Sequence, residues 1–142
     1  MNVLADTSIW SLALRRSQGD PSREEVVLKQ ELQALIEEGR VQIIGPVRQE
    51  LLTGFRRHDQ FQRLRERLRF FRDAELTSED FEEAAHIHNE CRSAGIAGSA
   101  VDFLICAAAI RRDWQIFTLD KDFQRYGRKV PLAFFVPQPF KT

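Results

Sequence analysis

The sequence predicts an α/β fold with a mainly parallel sheet, in a single domain spanning residues 1–142, and three observations carry that prediction. Short apolar or β-branched runs alternate with stretches whose apolar residues recur at helical spacing, the pattern of βαβ units. The 142 residues are 43% hydrophobic and include 11 Phe, enough for one continuous core. No internal repeat, low-complexity block or long linker divides the chain.

Asn2 to Asp6 is a short apolar run ending in an acid, which reads as a strand. Thr7 and Ser8 can then cap a helix from Ile9 to about Arg15. Ser17 to Ser22, with Gly19, Asp20 and Pro21, is a turn. After it Val27, Leu28, Glu31, Leu32, Leu35 and Ile36 follow helical spacing until Gly39 closes the helix. Val41 to Gly45 is a β-branched run, and Pro46 is placed to start a helix that carries Glu50 one turn in.

A further helix is expected from about Gln60 to Arg72, with Phe61, Leu64, Leu68 and Phe71 as its apolar stripe. Ala74 to Leu76 reads as a short strand. Thr77, Ser78 and Glu79 open a helix reaching Ser93, with Phe81, Ala84, Ala85 and Ile87 available for burial and Gly95 as its stop. The loop from Gly95 to Ser99 leads into an apolar helix, Ala100 to Arg111, with Asp102 near its first turn. Trp114 to Leu119 is a strand ending at Asp120, and Leu132 to Val136 is a last strand candidate. Pro137 and Pro139 make the tail a poor continuation of the sheet.

Lys+Arg and Asp+Glu balance at 21 each, so no bulk field draws the molecule to nucleic acid or membrane, and charge-driven recognition has to be local. The N-terminus lacks the basic start and long apolar core of a secretory signal, and no stretch is long enough to span a bilayer. Two cysteines, Cys91 and Cys106, fall in no disulfide or metal pattern, which suits a reducing cytoplasm.

In an open α/β sheet, ligands bind beyond the carboxyl ends of the strands, and the acids fall repeatedly at that edge. Asp6 ends the first strand, Glu50 follows the second, Asp120 ends a later one, and Asp102 begins the helix feeding it. Taken singly, each has a plain structural reading as a helix cap, a dipole partner, a surface glutamate or a turn residue. Together, four carboxylates at one edge repel one another unless a cation neutralises them. Oxygen ligands without a convergent His or Cys set favour Mg²⁺ or Mn²⁺ over zinc. Such an ion can polarise a phosphoryl oxygen and orient a water for in-line attack, which makes a phosphodiesterase without a side-chain nucleophile.

Four blocks carry a resemblance: VLADTSIW at 3–10, PVRQELLTG at 46–54, GSAVDFLICAAA at 98–109 and IFTLDKDF at 116–123. In this order and at these separations the chain resembles the PIN domain, and within it the VapC-type toxins of toxin–antitoxin pairs. The resemblance implies a three-layer α/β/α sandwich and a metal-dependent endoribonuclease acting on transfer or ribosomal RNA. It also implies a homodimer and an antitoxin that blocks the active edge. Asp6, Glu50 and Asp102 become the central acidic triad, Asp120 the fourth acid, and Asp122 an auxiliary or alternative ligand. Thr7, Thr118 and Ser99 would orient ligands or waters by hydrogen bonding.

Between Arg48 and Arg72 stand eight Arg against Glu50, Asp59 and Glu66. Arg63, Arg67 and Arg69 on the expected helix can be read as an RNA-backbone contact, a docking surface for an acidic antitoxin segment, or a solvated face. His86 and His88, two apart on a helix, point to different faces, so with Cys91 they make a poor set for zinc. Cys106 reads as a buried thiol, and Trp10 and Trp114 as core or interface residues.

Competing functions fit less well. A phosphoacceptor module wants an acid pair beside the first strand and a late strand-end Lys, but Lys121 directly follows Asp120. A haloacid-dehalogenase-like phosphatase needs an acid where Ser8 stands. An RNA-processing nuclease that is not a toxin, or a regulatory module that keeps the acidic pocket without cleaving, remain the other readings.

Overall fold

The computed structural model describes residues 1–14 and 19–138; Arg15, Ser17 and Pro139, named above in a helix end, a turn and the tail, lie outside the described residues. The chain runs β1 (Val3–Ala5), α1 (Thr7–Leu14), α2 (Arg23–Glu37), β2 (Val41–Gln42), α3 (Gly45–Leu52), α4 (His58–Leu68), α5 (Ser78–Ser93), α6 (Ala100–Arg112), β3 (Gln115–Phe117) and α7 (Asp122–Tyr126). The strands form a parallel sheet in the order β2-β1-β3, with Val3 opposite both Val41 and Gln115. All three residues of β1 are fully buried. That explains why the strand reads as an unbroken apolar run: a parallel strand covered on both faces has no polar side to alternate with. The architecture is an α/β sandwich.

From β1 the chain crosses through α1 and α2 to β2 on one side, and later reaches β3 on the other. Connections leave the central strand in opposite directions, so a crevice opens beyond its carboxyl end. Asp6 is the residue at that point.

Several elements are shorter than their sequence patterns. Of the run from Val41 to Gly45 only Val41–Gln42 is strand, since α3 claims Gly45 and Ile44 stands extended before it. Pro46 therefore sits within the first turn of α3, where its fixed φ favours a helix and its missing N–H costs nothing. Ala74 to Leu76 forms no strand, a single parallel bridge joining Ile43 to Asp73 just before it, and the strand expected at Leu132 to Val136 is reduced to one parallel bridge, Ile116 with Phe134, at the opposite edge of the sheet. Helix α2 ends as expected, with Gly39 at φ +68°, a conformation that suits glycine.

Helix α4 stops at Leu68, short of the expected Arg72. The Arg48 guanidinium takes the carbonyls of Leu68 and Phe71 at 2.9 and 2.5 Å and the Asp73 carboxylate at 2.9 Å, which holds the chain in a turn there. Phe71, freed from the helix, packs edge-on against Trp10 at 4.9 Å between ring centroids. In α5 the buried face is Asp80, Ala84, Ile87 and Cys91, while Phe81 is 52% exposed and Ala85 is exposed, contrary to the expectation for both. An acid at Asp80 hid the true stripe.

Asp80 is fully buried and joins α5 to α6. It accepts Thr77 N at 2.7 Å in a capping box, both terminal nitrogens of Arg112 at 2.6 and 2.8 Å, and Arg111 Nη1 at 2.6 Å. Trp10 is buried as expected and donates its indole N–H to Ala5 O at 3.2 Å. Trp114 is half-buried beneath the Arg112 guanidinium. No helix among the described residues is long and apolar enough to cross a membrane.

Candidate active site

Asp6 leaves the end of β1 and is only 4% exposed. Its Oδ1 accepts Ser8 Oγ at 2.5 Å and Ile9 N at 3.3 Å, and its Oδ2 accepts Thr118 Oγ1 at 2.5 Å. Burial nevertheless pushes its carboxyl above the ordinary 3.8, against the pull of those hydrogen bonds. The two hydroxyls do more than solvate the acid. Ser8 Oγ also accepts Leu119 N at 3.0 Å, and Thr118 Oγ1 accepts Asp120 N at 2.9 Å. The start of α1 and the segment after β3 are thus tied together through Asp6.

Asp120 follows β3 within this tie, and its Oδ1 accepts Asp122 N at 2.9 Å, opening α7. Asp122 turns away to pair with Arg125 at 2.7 Å. Glu50, one turn into α3, accepts Thr7 Oγ1 at 2.5 Å, so the residue next to Asp6 reaches across to the third acid. A surface depression lined by Thr7, Pro46, Glu50 and Val101 brings the starts of α1, α3 and α6 together.

Asp102 stands in the first turn of α6, whose start is capped by Ser99 Oγ accepting Asp102 N at 3.1 Å. Its Oδ2 accepts the Tyr126 hydroxyl at 2.7 Å. Burial foremost, with the charges of Asp120 and Glu50, raises the Asp102 carboxyl above 3.8, while Tyr126 and Ser99 hold it down. Burial and the same carboxylate raise the Tyr126 phenol, which stays a donor.

The structure brings Asp6, Glu50 and Asp120 to one edge through hydrogen bonds by way of Thr7 and Thr118, while Asp102 faces the same edge from the start of α6, bonded to Tyr126 and close enough for the charges of Asp120 and Glu50 to raise its carboxyl. They do not form a closed shell. Among the described residues no three His, Cys, Asp or Glu side chains stand as a ready-made ligand cluster. The donor chemistry still fits a hard cation, because the set is all oxygen, partly buried and mutually repulsive. Mg²⁺ in particular takes one or two carboxylates directly and keeps water in its remaining positions.

A PIN domain model matches residues 3–129. The chain belongs to the PIN domain family. PIN domains are nucleases, and the acidic edge lies wholly within the matched span. Comparison with curated proteins returns no match. Among solved structures, the chain is similar to FitAcB from Neisseria gonorrhoeae, with TM-score 0.73 and 23% identity over 95% of this chain and 97% of that one. It is also similar to VapBC2 from Rickettsia felis bound to a DNA fragment from its promoter, with TM-score 0.72 and 16% identity over 95% and 98%. A toxin–antitoxin complex from Klebsiella pneumoniae gives TM-score 0.66 and 20% identity over 96% and 98%. At these identities the likeness is one of fold, the PIN sandwich found above.

The arginine-rich segment divides. Arg48 is structural, as described, and Arg57 and Arg63 share Asp59 at 2.9 Å each. Arg63 and Arg67 line a groove with Leu14, Leu51, Phe55 and Leu64, between α1, α3 and α4. Arg69 is exposed at the end of α4. His88 stacks on Phe103 at 4.5 Å and bonds Arg92, and Cys91 and Cys106 are both buried. Sequence reasoning took Ser8 for a helix cap and passed over Tyr126. Ser8 stands in the DTS segment and was open to a fuller reading; Tyr126 meets Asp102 from 24 residues away, with no local pattern to announce it.

Proposed function

We propose that this PIN domain is a metal-dependent endoribonuclease and the toxin of a toxin–antitoxin pair, with structured RNA of the transfer or ribosomal class as substrate. The observation that carries the reading is the linked acidic edge beyond β1, where Asp6, Glu50, Asp102 and Asp120 come from four separate stretches of sequence. Asp6, Asp102, Glu50 and Asp120 would hold Mg²⁺ or Mn²⁺, which supplies charge neutralisation at the phosphoryl group and a water of lowered pKa. Thr7 and Thr118 aim Glu50 and Asp6, Ser99 sets the start of the Asp102 helix, and Asp122 stands beside the set as an auxiliary acid.

Similarity in fold to toxin–antitoxin complexes supports an antitoxin partner for this chain as well, and a homodimer is the assembly proposed with it. Purified protein is expected to cleave a structured RNA with Mg²⁺ or Mn²⁺, to stop when EDTA is added, and to resume when metal is restored. Undiminished cleavage in excess EDTA would refute the metal-dependent reading.

In the same reading Arg63 and Arg67, which line the groove beside α4, and Arg69 at its end would meet the RNA backbone. Replacing all three with Ala is expected to weaken RNA binding and to flatten its log–log salt dependence by roughly two to three units, the counterion release of about three phosphates. An unchanged salt slope leaves them a solvated or partner-docking face.

A further inference from the structure

Tyr126, the chain's one tyrosine, is fully buried at the end of the short helix α7, and its hydroxyl reaches into the acidic edge. Its ring packs against Phe103 at 5.1 Å and Phe123 at 5.2 Å between centroids, so the hydroxyl has little freedom to wander. The partner is Oδ2 of Asp102 at 2.7 Å. A buried phenol needs some acceptor, and a backbone carbonyl would serve for that purpose. Here it takes a carboxylate that stands in the field of two others, Asp120 and Glu50.

Gly98 shows what the contact requires of its surroundings. A Cβ added there would lie 2.6 Å from the Tyr126 hydroxyl oxygen, 2.9 Å from its Cε1 and 2.6 Å from Phe103 Cζ. The phi angle of Gly98 is not in the left-handed region, so the glycine is demanded by space and not by backbone conformation. The very next residue, Ser99, caps the helix bearing Asp102. Gly98, Ser99, Asp102 and Tyr126 therefore form one unit, with the backbone held from one side and the carboxylate from the other.

We infer that Tyr126 is a positioning residue for Asp102: its hydroxyl fixes the orientation of that carboxylate against repulsion from the neighbouring acids, so that Asp102 meets the cation already aimed. The inference rests on the reading of Asp102 as a metal ligand given above. Partners that orient a ligating side chain typically contribute 10- to 100-fold in metal affinity or activity. Phe at this position keeps the ring packing and removes only the oxygen.

The test uses the full chain with Mn²⁺, its affinity measured by electron paramagnetic resonance, alongside thermal melting. Tyr126→Phe is expected to weaken Mn²⁺ binding by about 10-fold or more, with RNA cleavage falling at subsaturating metal and recovering in part at high metal. Gly98→Ala, which keeps the phenol but crowds its oxygen, is expected to weaken Mn²⁺ binding in the same direction. A second readout is direct: tyrosine labelled with ¹³C at Cζ gives a single NMR resonance, which is expected to shift on adding Mg²⁺ and to stay put in Asp102→Asn. Wild-type Mn²⁺ affinity in Tyr126→Phe, while Asp102→Asn loses it, would overturn the positioning role and leave the nuclease reading intact. Equal Mn²⁺ binding by wild type and Asp102→Asn would overturn both.

Discussion

Asp6→Asn and, separately, Asp102→Asn are expected to lower RNA cleavage by at least ~10²-fold at saturating Mg²⁺, the scale on which strong electrostatic groups at a reacting phosphate or carbonyl act. Each removes one negative charge from the acidic edge while leaving its shape nearly unchanged. For Asp6, folding and activity should move in opposite senses. Its carboxyl lies above 3.8 in the folded chain because burial disfavours the charged form, so the native state binds the proton more tightly than the unfolded chain does. The resulting stability is full below the unfolded value and is lost as pH rises through the folded one, which makes ionised Asp6 a cost at neutral pH. In metal-free buffer at pH 7, Asp6→Asn should therefore melt no lower than the wild type, and a differential melting curve beside the cleavage assay checks both halves. Robust cleavage by either variant would count against the assigned site.

Asp80→Ala is expected to cost about 3 kcal/mol of stability, and roughly 10 °C in melting temperature, without altering the acidic edge. The loss comes from leaving Arg111 and Arg112 facing a void, and from losing the hydrogen bond that caps α5 through Thr77 N. The arginines are 34% and 20% exposed at their side chains, so water recovers part of the loss, which places the estimate at the low end for a broken buried pair. The paired guanidinium of Arg112 holds the Asp80 carboxyl well below its ordinary 3.8. Its contribution is accordingly present above 3.8 and lost as pH falls from there toward the folded value. Denaturant titrations of wild type and variant should converge in acid and separate by the full amount at neutral pH. A variant as stable as wild type at pH 7 would show that the clamp between α5 and α6 contributes little.

Asp6 is legible as a strand-end acid because β1 is an unbroken apolar run that stops at it; Asp120 is legible from the run Trp114 to Leu119, although β3 itself ends at Phe117 and Thr118 stands between, and the parallel order puts both ends on one edge. Glu50 and Asp102 were legible through helix starts, marked by Pro46 and Ser99. Residues working across the fold were not. Ser8 looks like a cap in its local sequence, yet it also accepts Leu119 N from 111 positions away, and Tyr126 finds Asp102 through packing alone. Strand lengths were overestimated at Ala74 to Leu76 and Leu132 to Val136, since apolar composition reports burial and says less about how many backbone groups pair. In α5 Ala84 and Ile87 are buried as their spacing suggests, but Phe81 is exposed and the first buried member is Asp80, an acid whose partners, Arg111 and Arg112, lie on another helix.

That a hard cation belongs among these acids can be tested most directly by the anomalous scattering of Mn²⁺ in crystals of the protein. The account predicts a peak ligated by Asp6 together with Asp102, Glu50 or Asp120, with water completing the shell, and its loss in Asp6→Asn crystals. At saturating Mn²⁺, an acidic edge without a peak, or a peak held only by residues outside these four, would contradict it.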